Sequence, residues 1–316
     1  MSDALAAGPV GARLRLLRVS NAFSPVADVL SGVCVASAAG CTPDTGRVAC
    51  AALASSAIYH AGMALNDYAD RADDARTRPE RPIPSGAVSP GGALRWGLGL
   101  STLALGASFF AQNWRVVAPL LAVVWTYDLA LRRGSWLGPL FLGLARALNL
   151  LAGIHAAGLE LGAFARIPTF ESPLPAAVVP IGVAGGYGLA ILGLSIFALG
   201  EDLPWSRGRA ILAWCFAIVG LVVAFASLPV RGSESQSRHV VLGMCWLPLL
   251  EPLSIVLGPR RPWGPERVGQ VVGASLRGTL VFHTLVGVAT GYPQLSVFCG
   301  IAYVLARLMA RKIPPN

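Results

Sequence analysis

The residues from Asn66 to Asp74, with the sequence NDYADRADD, concentrate oxygen-bearing side chains at the end of an apolar segment. If the helix of that segment continues at about 100° per residue, one of its faces carries Asn66, Asp67, Asp70 and Asp74. Carboxylates this close repel one another unless water or a cation neutralises them. Mg²⁺ takes oxygen ligands and commonly completes its shell with substrate phosphates, so the stretch predicts a metal-bridged phosphate site at a membrane surface. A solvated acidic loop between two membrane helices is the alternative.

The composition indicates that this stretch belongs to a membrane protein. Of the 316 residues, 54% are hydrophobic and only 13% are charged, and the mean hydropathy is +0.61. Such values are typical of polytopic membrane proteins and exclude an ordinary soluble domain. The formal net charge of +9 lies in short loops, so we expect no nucleic-acid partner. We also expect no cleavable signal peptide, because the first apolar run is long enough to span and has no clear processing site.

Apolar segments long enough to cross roughly 30 Å of hydrocarbon recur along the whole chain. They are residues 22–41, 47–66, 92–111, 114–131, 136–160, 175–199, 209–229, 239–258, 268–290 and 293–310. Because the last two are nearly continuous, the alternative is one span with an interfacial or re-entrant piece. The sequence therefore predicts an all-α bundle of nine to ten transmembrane helices in a single domain, residues 1–316.

The loop arginines favour ten spans over nine. Lys and Arg collect in cytoplasmic loops, and a cytoplasmic N-terminus with ten spans places most of the loop arginines there. Nine spans would put the basic C-terminus on the opposite side. We therefore expect an integral protein of a bacterial inner (cytoplasmic) membrane with its N-terminus and active site cytoplasmic. The same orientation lets loops 66–91 and 200–208 meet over one cavity.

Ionisable residues inside the predicted spans are costly, so each is either a functional candidate or one member of a pair. They are Asp28, His60, Asp128, Arg146, His155, Glu251, Arg277 and His283. The structural alternative pairs the two arginines of this set with Asp28 or Glu251. Asp128 and Arg132 are four residues apart, which is the spacing of a local helix pair. The histidines are expected to be satisfied interior residues more often than ligands.

The acidic run and the RPIPSG that follows it, Arg81 to Gly86, resemble the UbiA superfamily of intramembrane prenyltransferases. In that family the pattern NDxxDxxxD coordinates Mg²⁺ bound to the diphosphate of an isoprenyl donor. The resemblance begins with LRLLRVSNAFSPVADVLSG, where Asn21 matches a family asparagine, and extends through Tyr127 and Arg132 to Asn149 in the fifth predicted span. The phrases RVSNAF, ADVLSG and YDLALRRGSWLGP look most like the EboC, or UbiA-like, subgroup. The implied fold is a helical bundle around a central lipid-facing cavity.

The chain departs from the family pattern after the sixth predicted span. Family members carry a second aspartate-rich motif there for a second metal ion, whereas this chain reads FALGEDLPWSRGR from Phe197 to Arg209. Glu201 and Asp202 are the acids that remain. Pro204 breaks the helix that would place a later ligand on the same face. The first metal site is therefore expected to be intact and the second to be eroded.

The resemblance implies roles for individual residues. The implied Mg²⁺ ligands are Asn66, Asp67, Asp70, Asp74, Glu201 and Asp202. Asp67, Asp70 and Tyr127 would be catalytic, with the tyrosine ring stabilising an allylic cation. Substrate would contact Asn21, Arg81, Arg132, Arg133, Asn149 and Arg207, since guanidinium forks suit phosphate. For the arginines the alternative is a topology signal, and for Tyr127 it is an interfacial aromatic anchor.

The leading hypothesis is an intramembrane, Mg²⁺-dependent transfer of an isoprenyl group from an allylic diphosphate to a lipophilic acceptor, either an aromatic ring or another lipophilic nucleophile. Its partners are the isoprenyl diphosphate donor, the acceptor and the lipid bilayer. The alternative, which the eroded second motif favours, is a non-catalytic UbiA-like protein that binds or transports an isoprenoid or another lipophilic metabolite. A transporter unrelated to prenyl chemistry is not supported, because the chain lacks the repeat pattern of unwound helices.

The predicted topology can be tested with reporters. A green fluorescent protein fused after Asn316 should fluoresce, and an alkaline phosphatase at the same position should be inactive, because both ends are expected to be cytoplasmic. The same reporters inserted in the external loop 230–238 should give the opposite pattern. An active phosphatase at Asn316 would contradict the ten-span prediction.

Overall fold

The computed structural model describes residues 9–19, 22–131, 135–159, 178–201, 203–229, 240, 242–258 and 263–312. All regular secondary structure within these ranges is helical, which confirms the predicted all-α class. The α-helices are α1 (Pro9–Leu16), α2 (Phe23–Ala38), α3 (Thr45–Ala69), α4 (Arg71–Thr77), α5 (Pro90–Phe110), α6 (Trp114–Ala130), α7 (Gly138–Ala156), α8 (Val178–Ala198), α9 (Arg207–Ala226), α10 (Leu250–Leu257), α11 (Pro265–Thr290) and α12 (Pro293–Lys312). A 3₁₀ turn, Leu247–Leu249, precedes α10.

Local sequence accounts for several helix ends. The Asp44 carboxylate accepts a hydrogen bond from the Arg47 amide at 2.9 Å and so caps the N-terminus of α3. Ser89 caps α5 in the same way, and the proline at its first position needs no donor there. Helix α11 ends at Gly291, which has φ +78° and closes the helix in the left-handed conformation.

Within the described residues, the helices long and apolar enough to cross a membrane are α3, α7, α8, α9 and α11. The predicted span at 239–258 differs most from the structure, because a turn at residues 244–246 and the 3₁₀ turn Leu247–Leu249 precede the eight-residue α10. At 1.5 Å per residue α10 is about 12 Å long, too short to cross a bilayer alone. The membrane-helix fold is confirmed, and the number of nine to ten spans stays a prediction.

Glycines bring the backbones of α2 and α7 into direct contact. A Cβ atom placed on Gly153 would lie 2.0 Å from the carbonyl oxygen of Val29, and one on Gly32 would lie 2.1 Å from that of Leu150. No side chain fits between helices this close, and small residues are the usual solution for packing inside membranes. Helices α8 and α9 pack in the same manner, since a Cβ on Gly186 would be 2.4 Å from the Ala224 nitrogen.

The bundle places the acidic stretch at one end of α3. This helix packs against α5, α6, α7 and α2, and its last turn carries Asn66 and Asp67. A larger apolar core joins α2, α7, α8, α9, α11 and α12 around Tyr187, Phe225 and Phe282. The acidic residues therefore extend from a helix that is held on several sides.

Substituting Gly153 tests the contact between α2 and α7. Gly153→Ala should lower the free energy of unfolding by about 1–3 kcal/mol or more, because the new methyl group must displace backbone. Gly106→Ala is the matched control, since Gly106 lies in α5 and no atom lies within 4 Å of the place its Cβ would take, and it should be neutral or stabilising. Unfolding in detergent measures both; equal stability of the two variants would contradict the packing described.

Candidate functional site

The predicted continuous helix through the acidic motif is interrupted at Asp70. Helix α3 ends at Ala69, Asp70 is its C-cap, and α4 begins at Arg71. Backbone hydrogen bonds still connect the two, because the Asp70 amide donates to the Asn66 carbonyl and the Asp74 amide to the Asp70 carbonyl, each at 2.9 Å. The correction is therefore a local break that starts a second short helix.

The motif acids differ sharply in exposure. Asp67 is 5% exposed and Asp74 is 1% exposed. Asp73, between Asp70 and Asp74, points to the surface and pairs with Arg76. The motif is thus not a uniformly solvated acidic loop, because burying carboxylates requires partners of opposite charge or strong hydrogen bonds.

Two arginines supply those partners. Arg81 Nη1 lies 2.7 Å from Asp74 Oδ2 and 3.6 Å from Asp67 Oδ1, and Arg18 Nη2 lies 3.2 Å from the same Asp67 oxygen. Arg81 is only 3% exposed, so it is more than a solvated topology signal. Arg18 was not among the residues predicted from sequence, and it comes from the turn after α1, far from the motif along the chain.

Local packing holds both arginines in place. Ile83 of the RPIPSG loop is buried in an apolar cluster with Leu16 of α1, Ala64 of α3 and Ala93 of α5. The Val88 amide donates to the Pro82 carbonyl at 2.8 Å, which closes the loop. Arg18 has φ +46°, a conformation that is uncommon for residues other than glycine. It lies in the turn after α1, from which its side chain reaches Asp67.

A fourth carboxylate, Asp128, lies beside the motif. It is 5% exposed in the last turn of α6, and Arg18, Asp70 and Asp67 are within electrostatic range of its carboxyl group. The predicted pairing partner Arg132 lies outside the described residues. Acids from three helices, α3, α4 and α6, therefore gather at this end of the bundle.

The donor set at the motif fits a hard divalent cation in its chemistry. Carboxylate and amide oxygens of Asn66, Asp67, Asp70 and Asp74 are the ligand types that Mg²⁺ prefers. Among the described residues, however, no three acidic, histidine or cysteine side chains converge on one point as a ready metal cluster. Arg18 and Arg81 contact the carboxylates of Asp67 and Asp74 instead, so a cation would take over oxygens that now face guanidinium groups.

The second predicted motif does not join the first in the part of the chain described here. Helix α8 ends at Ala198, and Glu201 is exposed in the following turn, where its Oε1 lies 3.5 Å from the position of a Cβ on Gly269 of α11. Asp202 lies outside the described residues. The carbonyl of Pro204 accepts a hydrogen bond from Arg209 at 2.8 Å, so the proline segment turns directly into α9.

An aromatic groove of about 390 Å³ lies next to this turn. Trp205 and Trp263 stack with ring centroids 4.1 Å apart, and Arg267 lies over Trp263 at 4.3 Å. Phe197, Trp214 and the predicted substrate-binding residue Arg207 also line the groove. This groove was not predicted from the sequence. The closely spaced Trp205 and Trp214 could have indicated an aromatic site. Trp263 is distant in sequence and reaches them only in the folded protein.

A separate polar network is buried inside the bundle around Asp28. This fully buried carboxylate lies 2.8 Å from Arg146 and accepts hydrogen bonds at 2.9 Å from Asn149 and from Tyr187. His283 Nε2 is 3.0 Å from Asp28 Oδ1, the oxygen that also accepts the hydrogen bond from Tyr187. The predicted pairing of Asp28 with an arginine is confirmed. The contributions of Tyr187 and His283 were missed because two helices other than α2, namely α8 and α11, bring them in.

The remaining predicted residues are distributed as follows. The pairing of Glu251 with Arg277 is confirmed at 2.5 Å. His60 contacts the Leu17 carbonyl at 2.7 Å and is a satisfied interior residue, as predicted. Tyr127 is half-buried, with its ring near Gly138. Asn21, Arg132 and Arg133 lie outside the described residues.

The fold and the acidic motif define a polytopic helical membrane protein with an oxygen-rich site at one helix end. The profile of the UbiA prenyltransferase family matches residues 29–199, which is more than half of the chain. The chain belongs to the UbiA prenyltransferase family, which confirms the resemblance seen in the motifs. Its placement in the EboC subgroup stays a prediction.

Individual relatives match over part of their length. Digeranylgeranylglyceryl phosphate synthase of Methanoregula boonei is 35% identical over 155 residues, 48% of this chain and 50% of that protein. The bacteriochlorophyll synthase 33 kDa chain of Rhodobacter capsulatus is 34% identical over 142 residues, 42% and 45% of the two chains. This chain thus spans about half the length of the curated relatives it matches.

Solved structures share the fold over nearly the whole chain. A structure from work on digeranylgeranylglyceryl phosphate synthase in membranes has a TM-score of 0.57 at 15% identity and covers 96% of this chain and 99% of its own. A UbiA homolog from Archaeoglobus fulgidus bound to GPP and Mg²⁺ has a TM-score of 0.50 at 14% identity, with the same coverage. At these identities the likeness establishes the fold alone.

Removing the buried arginine tests the ion pairs of the motif. Arg81→Met should destabilise the protein by about 3–5 kcal/mol, because it removes the guanidinium that lies 2.7 Å from the buried Asp74 and leaves Asp67 with Arg18 alone. Arg76→Met is the matched control, since Arg76 is 75% exposed in its pair with Asp73, and it should change little. Thermal unfolding in EDTA compares the variants, and an unaltered melting temperature for Arg81→Met would refute a structural role for this pair.

Proposed function

We propose that this chain is a Mg²⁺-dependent intramembrane prenyltransferase that moves an isoprenyl group from an allylic diphosphate to a lipophilic acceptor. The observation that carries the proposal is the first motif, in which Asp67, Asp74 and two arginines form a buried charged site at the end of α3. Family membership and the homolog bound to GPP and Mg²⁺ support the donor class.

The motif residues would hold the cation. Asn66, Asp67, Asp70 and Asp74 supply the oxygens, and Mg²⁺ when bound there would stabilise the negative charge that develops on the departing diphosphate. Arg18 and Arg81 already lie against these carboxylates. They are therefore placed to contact phosphate oxygens that approach the same carboxylates, and the fork of a guanidinium suits that contact.

The rigid surroundings serve the same chemistry. Because Asp67 and Asp74 are almost fully buried, the charges at this site are screened less by water than surface charges would be. The apolar cluster of Leu16, Ala64 and Ile83 limits the movement of the loop that carries Arg81. Such preorganisation is what an electrostatic mode of catalysis requires.

The finer assignments are part of the proposal. We place the site on the cytoplasmic side of a bacterial inner membrane and treat residues 1–316 as one domain. The two named relatives, a digeranylgeranylglyceryl phosphate synthase and a bacteriochlorophyll synthase chain, support a lipophilic acceptor as the class.

A second candidate function is binding or transport of an isoprenoid without turnover. The observation that favours it is the position of Glu201, which is exposed against α11 and is not grouped with the first-motif acids in the described residues. A single cation site can retain a diphosphate lipid, whereas cleavage of the allylic bond places a larger demand on charge stabilisation.

Turnover by the purified protein distinguishes the two functions. In nanodiscs with Mg²⁺ and a panel of allylic diphosphates, the wild-type protein should release diphosphate, and Asp70→Ala should reduce the rate by at least about 100-fold. Asp73→Ala is the matched control, because its side chain is 59% exposed and paired with Arg76, and it should retain activity.

Two results would change the proposal. Full activity in Asp70→Ala would remove the metal site from the mechanism. Saturable binding of the donor by the wild-type protein without release of diphosphate would establish the binding function in place of catalysis.

A further inference from the structure

We infer that Asp128 is an additional ligand of the divalent cation at the first motif, contributing an oxygen from α6. This inference rests on the proposed function, from which it takes the cation. It starts from Asp128 Oδ2, which is buried and has no hydrogen-bond partner within the described part of the chain. Buried polar atoms are nearly always paired, so an orphaned carboxylate oxygen calls for a missing partner such as an ion.

The position of the oxygen connects it to the motif. A Cβ atom on Gly62 of α3 would lie 3.1 Å from Asp128 Oδ2, so the carboxylate lies directly against that glycine. Gly62, Asn66 and Asp70 are spaced four residues apart and follow one another along one side of α3 and its C-cap. Asp128 therefore lies at the inner end of the row whose outer members are predicted cation ligands.

The charges around Asp128 indicate the same centre. Asp70 and Asp67 are both within electrostatic range of its carboxyl group, and Arg18, which is bonded to Asp67, is the nearby cation. A fourth carboxylate beside three others raises the mutual repulsion, which a divalent cation would reverse into attraction. Carboxylate oxygens are suitable ligands for Mg²⁺.

The inference also offers a substitute for what the second motif lacks. Glu201 lies against α11, whereas α6 packs directly on α3. An acid on α6 can reach the first-motif cation without any contribution from the turn after α8. Asp128 would then complete a site within the part of the bundle formed by α3, α4 and α6.

The test measures binding of Mn²⁺ alone by electron paramagnetic resonance, with no prenyl substrate present. Asp128→Asn keeps the size of the side chain and should weaken Mn²⁺ binding by about tenfold or more. Asp73→Asn carries the same change on the exposed neighbour of the motif and should bind Mn²⁺ as the wild type does.

A second pair of variants leaves the carboxylate in place. Gly62→Ala should also weaken Mn²⁺ binding, because its methyl group would meet Val124 Cγ1 at 3.0 Å and Asp128 Oδ2 at 3.1 Å and so displace this part of α6 together with the carboxylate. Gly106→Ala, which meets no atom within 4 Å, should not. Thermal unfolding in EDTA verifies that Asp128→Asn and Gly62→Ala are folded under the conditions of the binding measurement.

The outcomes separate this inference from the proposed function. Wild-type affinity in Asp128→Asn, together with loss of Mn²⁺ binding in Asp70→Asn, would overturn the role of Asp128 and leave the first-motif site standing. In that case the oxygen is held by a proton or a water molecule. Unchanged Mn²⁺ binding in both variants would remove the cation site itself, and with it the proposed function.

Discussion

The ion pair between Arg81 and Asp74 is the contact on which the rest of the site depends. It is 2.7 Å long and almost wholly out of water, and Arg81 also approaches Asp67. Arg81 joins the RPIPSG loop to α4 through Asp74 and to the end of α3 through Asp67, while Arg18 joins the turn after α1 to Asp67. In a low-dielectric setting neither charge can lose its partner cheaply, so the acids, the loop and the N-terminal helix keep one arrangement.

Two buried charged centres in this chain obey the same physics with different results. Both oxygens of Asp28 are occupied by contacts from Arg146, Asn149, Tyr187 and His283. These contacts join α2 to α7, α8 and α11. That centre is saturated, which suits a structural role. At the end of α3 an oxygen of Asp128 has no hydrogen-bond partner among the described residues. The contrast marks the second centre as the one with capacity for a ligand.

Sequence reasoning succeeded where the physical constraint is local or strong. The cost of an isolated charge in a membrane was sufficient to predict the pairing of Asp28 and Glu251 with arginines. The spacing of the acids predicted the candidate site at the end of α3, and its role stays a prediction. It missed Arg18 and Tyr187, because no local pattern reports which distant helix packs nearby. It also predicted one continuous helix through Asp70, where the structure has a break between α3 and α4. A one-residue interruption leaves the periodicity of the side chains almost unchanged. The short helix α10 was predicted as part of a full span, because hydropathy reports how apolar a segment is and not how long its helices are.

The glycine contact between α2 and α7 has a genetic consequence. With the Val29 carbonyl 2.0 Å from where a Cβ of Gly153 would be, there is no room for any side chain at all. Glycine is the smallest residue, so every single-base change that alters the meaning of its codon brings a larger residue or a stop. Most positions in an apolar helix have a conservative neighbour in the genetic code. Gly153 has none, and neither has Gly32 on the facing helix, so this crossing is a concentrated target for loss-of-fold mutations far from the charged site.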